Sequence, residues 1–510
     1  MRKILALIFA SLLISISTAF CSPEGTEHWE ECTTVLAAGN ATRDGSIILA
    51  KNRDLSEYEL QWLYRAPRQS HPPGTTVRLQ YIEIPQANTT WAWVGSKSYT
   101  KKWGVGMGIN EWGVSVADND APTREPLEGE RGLHDNDICR LILERSRTAH
   151  EGMLVAGQLI EEYGHSSIGQ IYWVADQTEC WIVECAGHHW AAVRVADGVA
   201  VRANQFQITT EWDAGNDDLV EYAIGKAWCK SAEDFSFAEC YSPSDYPYRS
   251  SQTRLERGHD LIEGKIGDLT REDLMEVLAD HYEQTAMYST AHDNQRYRTI
   301  CSRRTVSAMV THLKTEQPTE MQVMWYCMSS PCIGVFTPVY ANVSTIPQPY
   351  LTGGGPEDLS SYDTSSAWWV FKKIQLLVDE SYDELHGAVR VNWDGFYANA
   401  SSDASMMEEE LVGLFSEGKR GEARAAMDRL VEEKLTEAYE MAIGMVDELS
   451  GVGGETEEEV TTGEEETTGE ETPPTNPMVY ILSVVVLLII GITLARGRPL
   501  RSTRGGREAT

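Results

Sequence analysis

The spacing of apolar positions changes several times along this chain. Short apolar runs at 35–38 and 47–50 flank Arg43-Asp44-Gly45-Ser46, and Asp-Gly between strand-like runs predicts a β-hairpin. Cys32 opens its first strand and Asp54 follows its second, so antiparallel pairing should bring Cys32 beside residues 51–54. Shorter strand-like runs follow at 79–84 and 90–94. Gly104, Gly106, Gly108 and Gly113 then punctuate apolar residues and read as bends in a sheet, since no helix start follows to make a phosphate cradle. Residues 136–162 predict helices, with Ile138, Leu141 and Ile142, then Met153, Leu154, Ala156, Leu159 and Ile160, at helical spacing. A meander of four strands is predicted at 170–175, 180–185, 189–195 and 198–203. A helix is then predicted after Ser250 and Ser251, within the stretch 248–258, with further helices at 269–281 and 303–313, and two strands at 321–339, broken at Ser329-Ser330-Pro331. Helical runs separated by meanders predict a layered α+β fold with sheets packed face to face beneath helices.

Beyond the loop at 347–363 the pattern is helical to about Leu449, predicting a helical C-terminal subdomain over 351–450 after a core over 32–350. The two ends read differently. Arg2 and Lys3, an apolar run at 4–16 and then Ser17, Thr18 and Ala19 read as a secretory signal over 1–21, and a lipoprotein reading through Cys21 ranks second because Phe20 is a poor neighbour for that cleavage. Residues 22–31 form a short acidic stub suited to a propeptide. Residues 451–477 turn to Gly, Thr, Glu and Pro, a composition that buries nothing and self-repels, and are expected to be an extended linker. Residues 478–495 are apolar and uncharged, at the short end of a membrane span. Arg496, Arg498, Arg501, Arg504 and Arg507 follow, which predicts a cytoplasmic tail over 496–510 and a body held outside the cell membrane on a stalk. Asn40, Asn88, Asn342 and Asn399 lie in Asn-x-Ser/Thr glycosylation sequons; Asn40 is the poorest acceptor if it sits inside the hairpin near Cys32.

With 510 residues the chain can bury a large core and more than one structural unit is expected. A formal charge of −34 leaves no basic face for nucleic acid. Ten cysteines permit disulfides in an exported chain, though spacing does not give the pairing. There is no pair of Cys-x-x-Cys motifs, and His188-His189 lack partners at ligand spacing, so neither a metal nor another cofactor is expected, and the two histidines read as a strand end.

The hairpin becomes chemically pointed if the chain is cut before Cys32. The new α-amine, with an ordinary pKa near ~8, can act as base toward its own thiol. Asp54 would hold the ammonium form of that amine, and Lys51 would favour the thiolate electrostatically. Asn204, at the end of the fourth meander strand, reads by itself as a turn cap. Ser250 and Ser251 read as the N-cap of a helix carrying Arg254 and Arg257.

The wording of several stretches is more specific. Cys32-Thr33-Thr34, the Ala-Thr-Arg-Asp-Gly-Ser turn and the run ending Ala-Lys-Asn-Arg-Asp resemble cysteine dipeptidases of the dipeptidase A and secernin kind, N-terminal-nucleophile hydrolases similar to penicillin V acylase and bile salt hydrolase. Gly108 to Val114, Trp181 to Glu184, Asn204-Gln205-Phe206 and Arg298-Thr299-Ile300-Cys301 extend the likeness over residues 32–446. The resemblance implies an αββα sandwich and hydrolysis of dipeptides or small amides. Cys32 would be nucleophile and, through its amine, base; Asp54 would bind that amine. Asn204 matches the oxyanion-hole asparagine, and Arg254 the arginine that supports the nucleophile's pocket. Lys51, with Asn119 a candidate for substrate binding, departs from the arginine common in relatives, keeping the charge but losing the planar fork. A second oxyanion donor is expected from residues 117–120, with Asn119 the candidate. Two alternatives share or dispense with this chemistry: an amidase or acyltransferase acting on N-acyl amino compounds, and an inactive surface binding protein. An oligomer is compatible with the sequence.

Overall fold

The hairpin forms as the pattern predicts. Strand β1 (Thr33–Ala38) pairs with β2 (Ile47–Asp54), Thr33 opposite Asn52 and Thr34 opposite Lys51. The connection turns at Gly45, whose φ of 73° favours a residue without Cβ. Asn40 is exposed at this turn, at the end of the hairpin away from Cys32 and not near it. The computed structural model describes residues 31–294, 296–352 and 362–452. They belong to a unit ending at Gly454. The expected signal, most of the propeptide, nearly all of the linker, the membrane span and the tail lie outside them. Among the described residues no helix is long and apolar enough to cross a membrane.

Leaving aside two small two-stranded ribbons within residues 69–90, the strands that follow are β3 (Gln61–Ala66), β4 (Trp93–Ser98), β5 (Met107–Asn110), β6 (Ser115–Ala121), β7 (Gly169–Ala175), β8 (Cys180–Ala186), β9 (His189–Val195), β10 (Gly198–Arg202), β11 (Ala214–Gly215), β12 (Thr305–Leu313), β13 (Val323–Met328) and β14 (Phe336–Tyr340). They build two antiparallel sheets, one in the order β10-β1-β2-β12-β13-β14 and the other β11-β9-β8-β7-β6-β5-β4-β3. Of the helices longer than seven residues, α1 (Asp135–Arg145) and α2 (Ala149–Tyr163) cover the second sheet. Helices α3 (Arg249–Glu263), α4 (Arg271–Leu278), α5 (Ala367–Glu380), α6 (Tyr382–Ser416) and α7 (Arg420–Val452) pack on the first. The result is a mixed α/β fold in four layers.

Strand alternation sorts the core. In β7, Ile171, Trp173 and Ala175 join the cluster between the sheets, whereas Tyr172 and Val174 join the cluster beneath α1 and α2. Polar side chains also bridge the sheets: Thr311 Oγ1 donates to Ser115 Oγ at 3.1 Å.

Further readings of the sequence are corrected. The strand expected to close the four-strand meander, β10, does not pair with β9 but crosses to the other sheet and lies antiparallel to β1, with Thr34 opposite Arg202. Residues 303–313 were expected to be helical but form β12, the strand between β2 and β13. It is rich in Val and Thr and nearly all buried, so it lacks the alternation that marks a half-exposed strand. Ser250 and Ser251 do not precede α3 but lie in its first turn, with Tyr248 at the cap position.

Candidate active site

Cys32 lies immediately before β1 and is buried. The hairpin register fixes what surrounds it. Thr34 and its cross-strand partner Lys51 face the second sheet: Thr34 Oγ1 donates to Asn119 Oδ1 at 2.9 Å, and Lys51 Nζ donates to Gly106 O at 3.1 Å and to the Asp118 carboxylate. Burial works against the Lys51 charge, but Asp118 and Cys32 outweigh it and hold its pKa above the ordinary value. The lysine therefore stays an ammonium beside the thiol, a setting that favours the thiolate.

Asp54 ends β2, fully buried. Its Oδ1 accepts from Thr305 Oγ1 and its Oδ2 from Arg298 Nη2, both at 2.6 Å. Burial nevertheless raises its pKa, against the pull of Arg298, Thr305, Arg254 and Arg304. The carboxylate thus sits where one more cation would stabilise it. Arg298 also donates through Nε to Glu31 Oε2 at 2.7 Å, so a single guanidinium joins Asp54 to the residue preceding Cys32. Burial opposes the Glu31 charge, but Arg298, Arg254 and Arg304 hold its pKa below the usual range.

Arg254 reaches the same point from α3. Its Nη1 lies 3.1 Å from Glu31 O, 2.8 Å from Cys32 O and 3.1 Å from Thr33 Oγ1. Its Nη2 donates to Asn204 Oδ1 at 2.9 Å, and its Nε to Ser250 O at 3.2 Å. The carbonyls on both sides of the Cys32 nitrogen thus share one cationic donor. With Oδ1 clamped by Arg254, the Asn204 amide is oriented, and its Nδ2 donates to Asp120 O at 2.9 Å. Its backbone N–H donates to Ser251 Oγ at 3.2 Å, which is the function of that serine inside the helix.

Asn119, in β6, has the complementary arrangement. Its Oδ1 takes two donors, Thr34 Oγ1 and Trp173 Nε1, each at 2.9 Å. Its Nδ2 is buried with no hydrogen-bond partner among the described residues. A buried amide nitrogen held in orientation in this way can donate to an acceptor placed beside it.

The structure therefore draws Cys32, Lys51, Asp54, Asn119, Asn204 and Arg254 into one network. Sequence reasoning assigned no role to Arg298, Asp118, Thr305, Trp173 or Glu31. Arg298 stood in the Arg-Thr-Ile-Cys stretch, but a lone arginine in an irregular segment carries no signal of its partner. His188 and His189 lie where β9 begins; His188 Nδ1 meets Glu161 O at 2.9 Å and the His189 ring packs on Tyr222, centroids 3.8 Å apart. None of the nine described cysteines is in a disulfide. Among the described residues one set of donors, His281, His292, Cys301 and Cys332, is close enough together to hold a metal ion, and it lies apart from the Cys32 network.

The sequence profile of peptidase family C69 matches residues 31–254 and 260–394. Probable dipeptidase B of Lactococcus lactis is 25% identical over 396 residues, covering 69% of this chain and 82% of that protein. Probable dipeptidase A of Streptococcus pyogenes is 22% identical over 396 residues, with the same shares covered. Among solved structures, a mutant conjugated bile acid hydrolase from Clostridium perfringens aligns with a TM-score of 0.35 at 13% identity, over 58% of this chain and 89% of that one. Penicillin V acylase from Agrobacterium tumefaciens aligns with a TM-score of 0.32 at 13% identity, over 61% and 86%.

Proposed function

Because the chain belongs to peptidase family C69, we propose that this peptidase is a dipeptidase of the N-terminal-nucleophile kind whose working form begins at Cys32. The observation that carries the reading is Arg254, which bonds the carbonyls of both Glu31 and Cys32 while orienting Asn204.

In the precursor, the Cys32 thiolate attacks the Glu31 carbonyl and the developing oxyanion meets the Arg254 guanidinium. The C–N bond breaks with a proton passing to the departing nitrogen, and water releases Glu31 from sulfur. The freed α-amine then accepts the Cys32 thiol proton as a dipeptide binds, and Asp54, kept in place by Arg298 and Thr305, receives the resulting ammonium. Sulfur forms a bond to the dipeptide carbonyl, whose oxyanion is stabilised by the amides of Asn119 and Asn204. Expulsion of the leaving amine, protonated by the ammonium, gives a thioester, and water completes the hydrolysis. Lys51, neutralised by Asp118, holds the thiolate without competing as a base. Nothing in these steps calls for a metal at Cys32.

The apolar runs at 4–16 and 478–495, with their flanking basic residues, support an enzyme tethered to the cell membrane with its body outside.

The purified protein is expected to hydrolyse members of a dipeptide panel faster than N-acyl amino acids, and Cys32→Ala to abolish turnover. Turnover surviving in Cys32→Ala, or hydrolysis confined to N-acyl amino acids, contradicts the assignment.

A further inference from the structure

Between α4 and β12 the chain runs from 279 to 304 with no helix or strand among its described residues. An irregular connection of that length inside a compact body needs some fixture other than a backbone ladder. It carries Tyr282 and Gln284 at φ of 68° and 62°, left-handed conformations that a non-glycine residue holds only when its surroundings impose them.

Three residues of this connection converge with one from the turn between β13 and β14. The donor atoms of His281, His292, Cys301 and Cys332 all lie within 4.8 Å of one another. His292 Nε2 is 3.1 Å from Cys332 Sγ and 3.8 Å from Cys301 Sγ. Ligand atoms around a tetrahedral zinc ion with bonds of about 2.0–2.3 Å stand roughly 3.3–3.8 Å apart, so the group is already near that size. His281 Nε2 is buried and meets no hydrogen-bond partner at bonding geometry; its side chain is 1% exposed. Each imidazole gives its other nitrogen to a carboxylate: His281 Nδ1 pairs with Glu283 Oε1 at 2.7 Å and His292 Nδ1 with Asp379 Oδ1 at 2.6 Å. Carboxylates in that position fix the tautomer that leaves Nε2 available to a metal.

We propose that His281, His292, Cys301 and Cys332 form a structural zinc site. Two thiolates and two imidazoles closing a tetrahedron suit zinc, with no position left for water or substrate. Binding releases the two thiol protons. A Cys301–Cys332 disulfide, the competing use of the same sulfurs, would leave the buried His281 Nε2 without a partner. The expectation of a metal-free chain rested on the want of locally paired ligands; here the donors come from distant parts of one connection and from the turn beyond the next two strands.

The site also bears on the catalytic centre. Cys301 follows Arg298 by three residues, and Asn52 of β2 donates to Leu278 O at 2.7 Å and Ile300 O at 2.9 Å. Zinc would make rigid the segment that presents Arg298 to Asp54. This consequence rests on the mechanism proposed above, whereas the metal itself does not.

The test is metal analysis of the purified protein, with Co(II) exchanged for any bound metal. One zinc per chain is expected. The cobalt form should show intense visible bands of a tetrahedral ion and thiolate-to-metal charge transfer in the near ultraviolet. His292→Ala and Cys332→Ser should lose the metal, while Cys229→Ser retains it. Should those two variants fail to fold, the cobalt spectrum of the wild-type protein decides alone. A non-reduced peptide map showing Cys301 joined to Cys332, or free thiols that take up neither zinc nor cobalt, overturns the proposal. If metal binds but stripping it leaves kcat unchanged, the site stands and the link to Arg298 falls.

Discussion

At the scale of single residues, the centre is a set of side chains whose orientation is fixed by partners that do no chemistry. Asn119 is the sharpest case, since Thr34 and Trp173 occupy its oxygen and leave its buried nitrogen without an acceptor. If that nitrogen serves the oxyanion, Asn119→Ala should lower kcat by about 10²–10³-fold with KM little changed, the effect of removing one such donor. Steady-state kinetics on a dipeptide checks this; a change confined to KM would assign Asn119 to substrate binding instead. Much of this centre was legible in the chain. A cysteine opening a strand after a short stub, with Lys51 and Asp54 at the end of the return strand, follows from hairpin geometry, and the family likeness supplied Asn204 and Arg254. Arg298 was not legible in that way. Its contact with Asp54 joins residues 244 positions apart, and no local pattern encodes such a pairing.

At the scale of elements, alternation and helical spacing identified the hairpin, the first three strands of the meander and the helices over 135–163, because each has one face in the core and another toward solvent or a second layer. The fourth strand, β10, crosses to β1 in the other sheet, a long-range pairing that alternation does not encode. Both signals failed for β12, covered on both faces, where period and burial no longer distinguish strand from helix. The seam between α2 and the second sheet holds a titratable device of its own. His165, just past α2, meets Tyr172 Oη at 2.8 Å. Burial pushes its pKa down to about 4 from an ordinary 6.5, against the attraction of Asp135. The unfolded chain therefore takes up a proton near pH 6.5 that the folded one refuses until about pH 4. Stability is retained above the unfolded value, declines as pH falls through this window and levels below it, by roughly 3 kcal/mol in all. Urea unfolding at several pH values should show this slope, and His165→Gln should flatten it; an unchanged slope in the variant would place the titration elsewhere.

At the scale of the whole molecule, the C-terminal helices are part of the body that shapes the centre. Trp368 Nε1 donates to Val306 O at 3.0 Å and Lys372 Nζ to Arg303 O at 3.2 Å, so α5 is bonded to the start of β12, where Thr305 holds Asp54. The acidic excess of the chain, by contrast, speaks only to solubility and to the exclusion of nucleic acid. On the proposed mechanism, one covalent event, cleavage between positions 31 and 32, converts this scaffold into an enzyme. The most direct measurement is the mass of the N-terminal peptide of the purified, active protein. The expected result is a chain starting at Cys32 with an unblocked α-amine, and an uncut bond between positions 31 and 32 in the Cys32→Ala variant. An active dipeptidase in which Glu31 is still joined to Cys32 would contradict it.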